Sequence, residues 1–429
     1  MKMAELYRIF LSSNGLSTDT RSLAPGQLFL ALKGPRFNGN DHVQAAFDSG
    51  AAGAIVDEPQ GVVNDQCYRV EDALATLQDL ARHHREQLNL TVIAITGSNG
   101  KTTTKELAQA VMQSHYHCFA TKGNLNNHIG LPLSVLSLQP AHEFAILELG
   151  DNHPGEVALL SSICQPQYGL ITNVGMDHLE GFGTMDANIA AKKELFDYLA
   201  AQEGTALINP TLPYLPEMAK EIPRQVHYGE KNSFATQGEL LSANPFVKLR
   251  FKGKKGHWHT VQTHLIGAYN YQNALAAIAI GQQFDVPDEK IAEALAAYVP
   301  SNNRSQIVKK DGYQVLLDAY NANPSNVEAA LESFARIESP KKAILLGDML
   351  ELGRFEAPEH ERIAHLAQQL QPDVLVLVGK AFAPTAKRHH ILHFDTAAAA
   401  KAWFQQQDWS GYWLLIKGSR GIAMETLLD

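Results

Sequence analysis

Apolar residues along the chain come in short unbroken blocks separated by stretches in which they recur every three or four positions. The first pattern suits buried strands and the second suits helices with one buried face. Blocks at 28–32 and 53–56 are of β type, with the Gly-, Pro- and Asn-rich stretch 34–41 and a helix-compatible segment 42–49 between them. A helix over 72–87 follows, so residues 1–84 are expected to form a small N-terminal α/β domain. From 91 onward, β runs at 91–96, 144–149, 168–174 and 205–209 alternate with helical patterns at 101–113, 154–162 and 185–200. Such alternation implies parallel strands, because only a crossover helix returns the chain to the edge where each strand begins. Segment 226–261 breaks this rhythm and reads as hairpins with a turn at 253–256, an antiparallel annex, before a helix at 270–284. After Pro300 the alternation restarts, with strands at 315–319, 342–346, 374–378, 391–394 and 412–417. Helices are expected to start near Pro324, Pro358, Pro384, Thr396 and Gly421, since proline in a first turn gives up only an N–H that would have no partner there. The pattern therefore predicts an α/β chain of three domains: residues 1–84, a central parallel-sheet domain at 85–300, and a C-terminal Rossmann-like domain at 301–429.

Composition narrows the class. The 429 residues carry 36 Lys and Arg against 45 Asp and Glu, a net charge of −9, which argues against bulk binding to nucleic acid. A hydrophobic fraction of 45% with 19% charged residues is that of a globular chain. Apolar stretches such as 274–281 are too short to cross a bilayer, and residues 1–15 interrupt any signal-peptide pattern with Glu5 and Arg8. A cytoplasmic location without membrane association is expected. Cys67, Cys118 and Cys164 are too few and too far apart for a disulfide framework or a zinc ribbon, and are read as reduced thiols.

The strongest chemical signal is Ile95 to Thr104, ITGSNGKTTT, between a β run and a helix. Gly97, Ser98, Asn99 and Gly100 can turn backbone N–H groups onto phosphate oxygens, Lys101 can reach the terminal phosphates, and the hydroxyls of Thr102 and Thr103 lie at the helix start, where Thr102 can ligate Mg²⁺. The segment departs from the general phosphate-loop spacing, whose first glycine would fall on Ile95. Glu148 and His178 sit at the carboxyl ends of predicted strands, where α/β sheets place ligand-binding groups. Taken alone, each is more simply a capping or surface residue. Lys192 falls within a helical pattern and by itself reads as a solvated lysine. The pairs His83/His84, His257/His259 and His389/His390 lack zinc spacing and read as surface residues.

Taken together, 96–104, 123–132, the Glu148-Leu149-Gly150 turn and 173–178 resemble the ATP-dependent Mur ligases of peptidoglycan synthesis. Segments 318–324, 347–353 and 417–421 are similar to the MurF type of that family, which joins D-alanyl-D-alanine to UDP-N-acetylmuramoyl-tripeptide. Thr20, Arg21 and Ser22, followed by 25–34, are similar to the uridine-nucleotide domain shared by the MurE and MurF types. The resemblance implies ATP as cosubstrate and two Mg²⁺ ions, with Lys101 and Thr102 at the phosphates, Thr102 and Glu148 on the first metal, and His178 and Lys192 on the second. Lys192 matches a lysine that several Mur ligases carry as a carbamate. Asn270 and Asn273 match an adenine-contacting helix start, and Arg304 and Asp318 match residues that close over the nucleotide. Asn124, Asn126, Asn127, Tyr320, Asn321 and Asn323 fall in the substrate-binding segments. Two departures stand out: Tyr269 where His is frequent, and Asn38 where Asp is common. The implied reaction proceeds through an acyl phosphate in a monomeric enzyme. The alternatives are a MurE-type ligase adding one amino acid, and a catalytically silent nucleotide-binding homologue.

Overall fold

The computed structural model describes residues 2–175, 177 and 179–429. Among the described residues the strands form sheets of four, nine and six strands and one two-stranded ladder. The four-stranded sheet is all parallel and runs in chain order: Leu16–Ser17, Leu28–Leu30, Gly53–Val56 and Cys67–Arg69. Its covering helix, Ala73–Glu86, also lies against helices Gly130–Leu136 and Glu156–Cys164 of the next layer. Leu77, Leu80 and Ala81 of that helix are fully buried in a core continuous with Val92, Leu131, Leu147 and Leu160. Two charged or polar side chains complete the seam. Arg85 is buried and donates to the carbonyls of Cys164 (3.0 Å), Leu88 (3.1 Å) and Leu90 (3.3 Å). His84 corrects its expected place on the surface: it is buried, bridging the Tyr7 hydroxyl and the Leu138 carbonyl, both at 3.0 Å.

The nine-stranded sheet runs Trp258–Ile266, Phe246–Lys252, Thr236–Ala243, Arg224–Gly229, Thr205–Ile208, Tyr168–Ile171, Thr91–Thr96, Phe144–Glu148, Cys118–Ala120. The strands from Thr236–Ala243 to Cys118–Ala120 are parallel, and the first three pair antiparallel. The expected annex is therefore a continuation of the main sheet, joined by the parallel pairing of Tyr228 with Thr236. Helix Tyr269–Gln283 is apolar on all sides from Ala274 to Ile280, as a helix must be when it lies between the sheet and helix Lys101–Gln113.

In the six-stranded sheet, Gln306–Lys310 pairs antiparallel with Tyr313–Asp318, and Tyr412–Lys417, Lys341–Gly347, Val374–Val378 and Leu392–Phe394 continue it in parallel. The helix expected from Gly421 is replaced by the short 3-10 turns Arg420–Ile422 and Met424–Leu428, interrupted where Ala423 takes a φ of +59°. Cys118 and Cys164 are buried, Cys67 is half-buried, and all three are free thiols; burial pushes the Cys118 and Cys164 thiols up to about 12. Among the described residues no helix is long and apolar enough to cross a membrane.

Candidate active site

Strand Thr91–Thr96 delivers the chain to Gly97 at a φ of +133°, where a Cβ would lie 2.2 Å from Thr172 Oγ1. Gly100, at +84°, opens helix Lys101–Gln113, and a Cβ there would meet Asn273 Oδ1 at 2.4 Å. Both glycines are thus required by backbone angle and by crowding. The loop is fastened from behind. Asn99 N donates to Asn173 Oδ1 (3.1 Å), Asn173 Nδ2 and Thr172 Oγ1 donate back to the Asn99 carbonyl (2.8 and 2.7 Å), and Gly175 N donates to Ser98 Oγ (2.8 Å). The Lys101 ammonium folds back onto the carbonyls of Gly97 and Ser98, half-buried at the start of its helix. Its partners there are neutral, so its charge remains available to an incoming anion.

Thr102 Oγ1 donates to Glu148 Oε2 (2.8 Å), and Asn126 Nδ2 donates to Glu148 Oε1 (2.8 Å). Thr102 and Glu148 both face the cleft, so hard oxygen donors of the kind Mg²⁺ prefers stand side by side at the phosphate loop. Behind them, Lys105 is buried and donates to the Thr121 carbonyl (2.8 Å), while Thr121 Oγ1 accepts from Glu148 N (3.0 Å). Burial pushes the Lys105 ammonium below its ordinary range although Glu148 and Glu106 draw it up.

Lys192 overturns its reading as a solvated lysine, because its side chain is 0% exposed. Its Nζ lies 3.1 Å from Asp151 Oδ2 and 3.4 Å from Asp177 Oδ2 and is hydrogen-bonded to Asn188 Oδ1. Burial alone would raise the Asp177 carboxyl; Lys192, Lys101 and hydrogen bonds from Ser98 and Asn188 outweigh it and hold the group below the usual range. His178 lies outside the described residues.

The opposite wall belongs to the six-stranded sheet. Asp318 ends Tyr313–Asp318, and its Oδ2 accepts from Lys417 Nζ (2.6 Å), which also donates to the Asn321 carbonyl (3.0 Å). The Arg304 guanidinium stacks 3.7 Å from the Tyr320 ring centroid. Asn323 caps helix Pro324–Ala335 in a reciprocal pair with Asn326 and extends Nδ2 to Asn99 Oδ1 (3.0 Å), while Asn99 Nδ2 donates to Ser325 Oγ (3.1 Å). The linker between the sheets is held by Glu106 of the phosphate-loop helix, which accepts from the Tyr298 hydroxyl (2.5 Å) and from Asn302 Nδ2 (2.6 Å).

One cleft of about 750 Å³ thus gathers Ser98 to Thr103, Glu148, Asn270 and Asn273 from one side, and Arg304, Asp318, Tyr320, Asn321 and Asn323 from the other. Asn124, Asn126 and Asn127 line it as well, and Asn127 Oδ1 accepts from Gly130 N (2.8 Å) at the start of helix Gly130–Leu136. Gly97 does not line the cleft; it packs against Thr172 and Asn173 behind the loop. Thr20, Arg21 and Ser22 are not in this cleft; they lie on the N-terminal domain, where Arg21 pairs with Asp19 (2.7 Å) on an exposed surface. Sequence reasoning missed Asp151, Asp177 and Lys417. Lys417 ends its strand and Asp151 follows closely on Glu148, positions that could have flagged them, whereas Asp177 lies further along the loop after Ile171.

Comparisons with known proteins agree with this geometry. The models "Mur ligase family, catalytic domain", "Mur ligase middle domain" and "Mur ligase, glutamate ligase domain" match residues 13–86, 95–281 and 303–420. The UDP-N-acetylmuramoyl-tripeptide–D-alanyl-D-alanine ligase of Bacillus subtilis is 34% identical over 97% of this chain and 92% of its own length, and the Escherichia coli ligase of that name is 32% identical over 99% and 95%. A crystal structure of MurF from Acinetobacter baumannii superposes with a TM-score of 0.86 at 30% identity, covering 100% of this chain and 97% of that one. MurF from Thermotoga maritima, solved in complex with ADP, gives 0.83 at 26% identity over 98% and 97%. With a glycine-cradled lysine facing charged residues of a second sheet, and with matches along nearly its whole length, the chain belongs to the Mur ligase family.

Proposed function

We propose that the protein is an ATP-dependent ligase that joins the terminal carboxylate of UDP-N-acetylmuramoyl-tripeptide to the amine of D-alanyl-D-alanine, releasing ADP and phosphate. The product is the UDP-linked pentapeptide used for peptidoglycan. The observation that carries this reading is the shared cleft, with Lys101, Thr102 and Glu148 on one wall and Arg304, Asp318 and Lys417 on the other. The names of the relatives support the two substrates to be joined, and the ADP complex of the Thermotoga maritima protein supports the nucleotide.

A carboxylate is anionic and resonance-stabilised, so it must be activated before an amine can displace an oxygen. Transfer of the ATP γ-phosphoryl group to the tripeptide carboxylate gives an acyl phosphate; the dipeptide amine attacks its carbonyl carbon, and phosphate leaves. The two anions must come within about 3–3.5 Å, so positioning and charge neutralisation carry the rate. In this reading Lys101 exchanges the Gly97 and Ser98 carbonyls for phosphate oxygens, and the loop amides and the helix start hold the triphosphate. Thr102 and Glu148 would hold one Mg²⁺, and a second would be held where Asp151, Asp177 and Lys192 meet, beside His178 in sequence. Bound Mg²⁺ supplies neutralisation of the phosphate oxygens. Asn270 and Asn273 would border the adenine, and Arg304 and Asp318 would close over the nucleotide and exclude water from the acyl phosphate. Residues 1–84 would bind the UDP group through Thr20, Arg21 and Ser22, with 85–300 binding ATP and 301–429 receiving the dipeptide near Tyr320, Asn321 and Asn323. Such substrates fit a cytoplasmic enzyme, and a cleft built from one chain fits a monomer.

Phosphate release should require ATP, Mg²⁺, UDP-tripeptide and D-alanyl-D-alanine together. Turnover with a single amino acid in place of the dipeptide would shift the assignment to a MurE-type reaction, and no release under any combination would leave a silent nucleotide-binding homologue.

A further inference from the structure

Segment 347–353 is one of the three that resemble the MurF type, yet none of the steps of the ligase reaction uses it. It leaves the end of strand Lys341–Gly347 and is held by a buried imidazole. The Asp348 carboxylate is taken by backbone donors, Oδ1 by Phe382 N (3.0 Å) and Oδ2 by Ala381 N (2.9 Å). Met349 N donates instead to His360 Nε2 (3.1 Å), and Leu350 N donates to Ser419 Oγ (3.0 Å). His360, on helix Glu356–Gln369, is 0% exposed, with the Phe382 ring edge-on at 4.4 Å between centroids and Asp348 Oδ1 3.7 Å from Nε2. A backbone N–H can only donate, so Nε2 carries no proton here and Nδ1–H donates to the Glu356 carbonyl (2.7 Å). Both ring nitrogens of a neutral imidazole are thereby used, and the tautomer is fixed.

The segment so held touches both halves of the cleft. The Glu351 carbonyl accepts from Glu180 N (3.1 Å), a Cβ on Gly353 would meet Glu180 Cα at 3.4 Å, and Arg354 Nη2 donates to the Gly183 carbonyl (3.4 Å). Residues 179–183 follow closely on Asp177, and the Phe182 ring centroid lies 5.0 Å from Lys192 Nζ. At its other end the segment reaches the far wall, because Ser419 Oγ, having accepted from Leu350 N, donates to the Ala322 carbonyl (3.2 Å), between Asn321 and Asn323. Replacing the imidazole by a group without an acceptor would leave the buried Met349 N–H unpaired, a state that a short loop relieves by moving.

We propose that His360 is a positioning residue: by accepting the Met349 N–H it sets loop 348–353, and through that loop it aligns the wall at Asn321 and Asn323 with the central-domain segment 179–183. The proposal rests on the ligase reading for the reaction that this alignment serves, but the order of the loop can be measured whether or not the reaction occurs.

Full-length wild type is compared with His360→Phe, which fills the ring's space but offers no acceptor, and with His360→Gln, whose Oε1 can accept from Met349 N. Amide hydrogen exchange in His360→Phe should quicken at least about tenfold at 349–353 and at 180–183, while 91–96 and 101–113 keep wild-type rates. In turnover, His360→Phe should lower kcat at least about tenfold and raise KM for D-alanyl-D-alanine, with KM for ATP unchanged. His360→Gln should recover both exchange and kcat to within about threefold of the wild type. Unchanged exchange in His360→Phe, faster exchange with wild-type kcat and KM, or equal losses in the Phe and Gln variants would each overturn the proposal. If His360→Phe does not fold, His360→Asn, whose amide can keep the Glu356 bond but stops short of Met349 N, is held to the same outcomes. The expected exchange pattern together with no wild-type turnover would count against the ligase reading alone.

Discussion

Two lysines of the central domain, Lys101 at the phosphate loop and Lys192 beneath it, have opposite surroundings. Lys101 is half-buried and hydrogen-bonds to neutral carbonyls, its charge reaching the Asp177 carboxylate only through space. Lys192 is fully buried and lies within ion-pair distance of two carboxylates. The same side chain thus meets neutral acceptors in one place and two buried carboxylates in the other, and what separates the two is which groups lie within ion-pair distance.

The sharpest way to break this contrast is to remove each charge in turn. Lys192→Met leaves Asp151 and Asp177 buried without a cation and should cost about 3–5 kcal/mol of stability, read as a lowered urea midpoint. Lys101→Ala should do the reverse: the urea midpoint stays near the wild type, while turnover falls about 10²- to 10³-fold, some 3–4 kcal/mol of transition-state stabilisation. Near-normal turnover in Lys101→Ala would remove the basis for the phosphate-site assignment. Gly100→Ala sharpens the comparison without touching a charge. Its φ of +84° and the 2.4 Å approach to Asn273 Oδ1 should distort the loop and raise KM for ATP about tenfold, an effect of about 1–2 kcal/mol. The smallest effect is expected far from both lysines, at Asp57. Burial would raise this carboxyl, but hydrogen bonds from Asn40, Lys33 and Ala73 N together hold it below its ordinary value. A depressed folded-state value contributes stability that is present above about pH 4 and is lost as pH falls through it. Asp57→Asn should therefore flatten the acid side of the stability profile while leaving turnover at neutral pH unchanged.

The same contrast explains what the sequence could reveal. Lys101 was legible because its whole setting, from Gly97 to Thr103, is contiguous, and a strand followed by a glycine turn and a helix leaves few alternatives. Lys192 was not, because Asp151 lies 41 positions away and no local period encodes the pairing. His84 was misread for the same reason: Tyr7 and Leu138, which bury it, are distant in sequence. Most strands of the central and C-terminal sheets were readable as apolar blocks, yet Cys118–Ala120 and Gln306–Lys310 were missed, one because it has three residues and the other because two of its five are lysines. The stretch after Gly421 looked helical by composition, but Ala423 adopts a left-handed angle that ends any helix there. Asn99 and Asn323 fall in the nucleotide and substrate segments, but their meeting across two sheets, joined there by Asn326, is a tertiary fact.

The attachment of the interdomain linker to Glu106 constrains how far each residue of the far wall can travel. Asn302 is tied to the same helix that begins at Lys101, and Arg304 follows only two positions later. A two-residue leash spans at most about 7 Å. Arg304 is therefore tethered to the phosphate-loop helix on one side, while its ring contact with Tyr320 and the bond from Ser305 N to Asp318 Oδ1 (3.1 Å) bind the same short segment to the opposite wall, so a handful of residues fixes the spacing between the two.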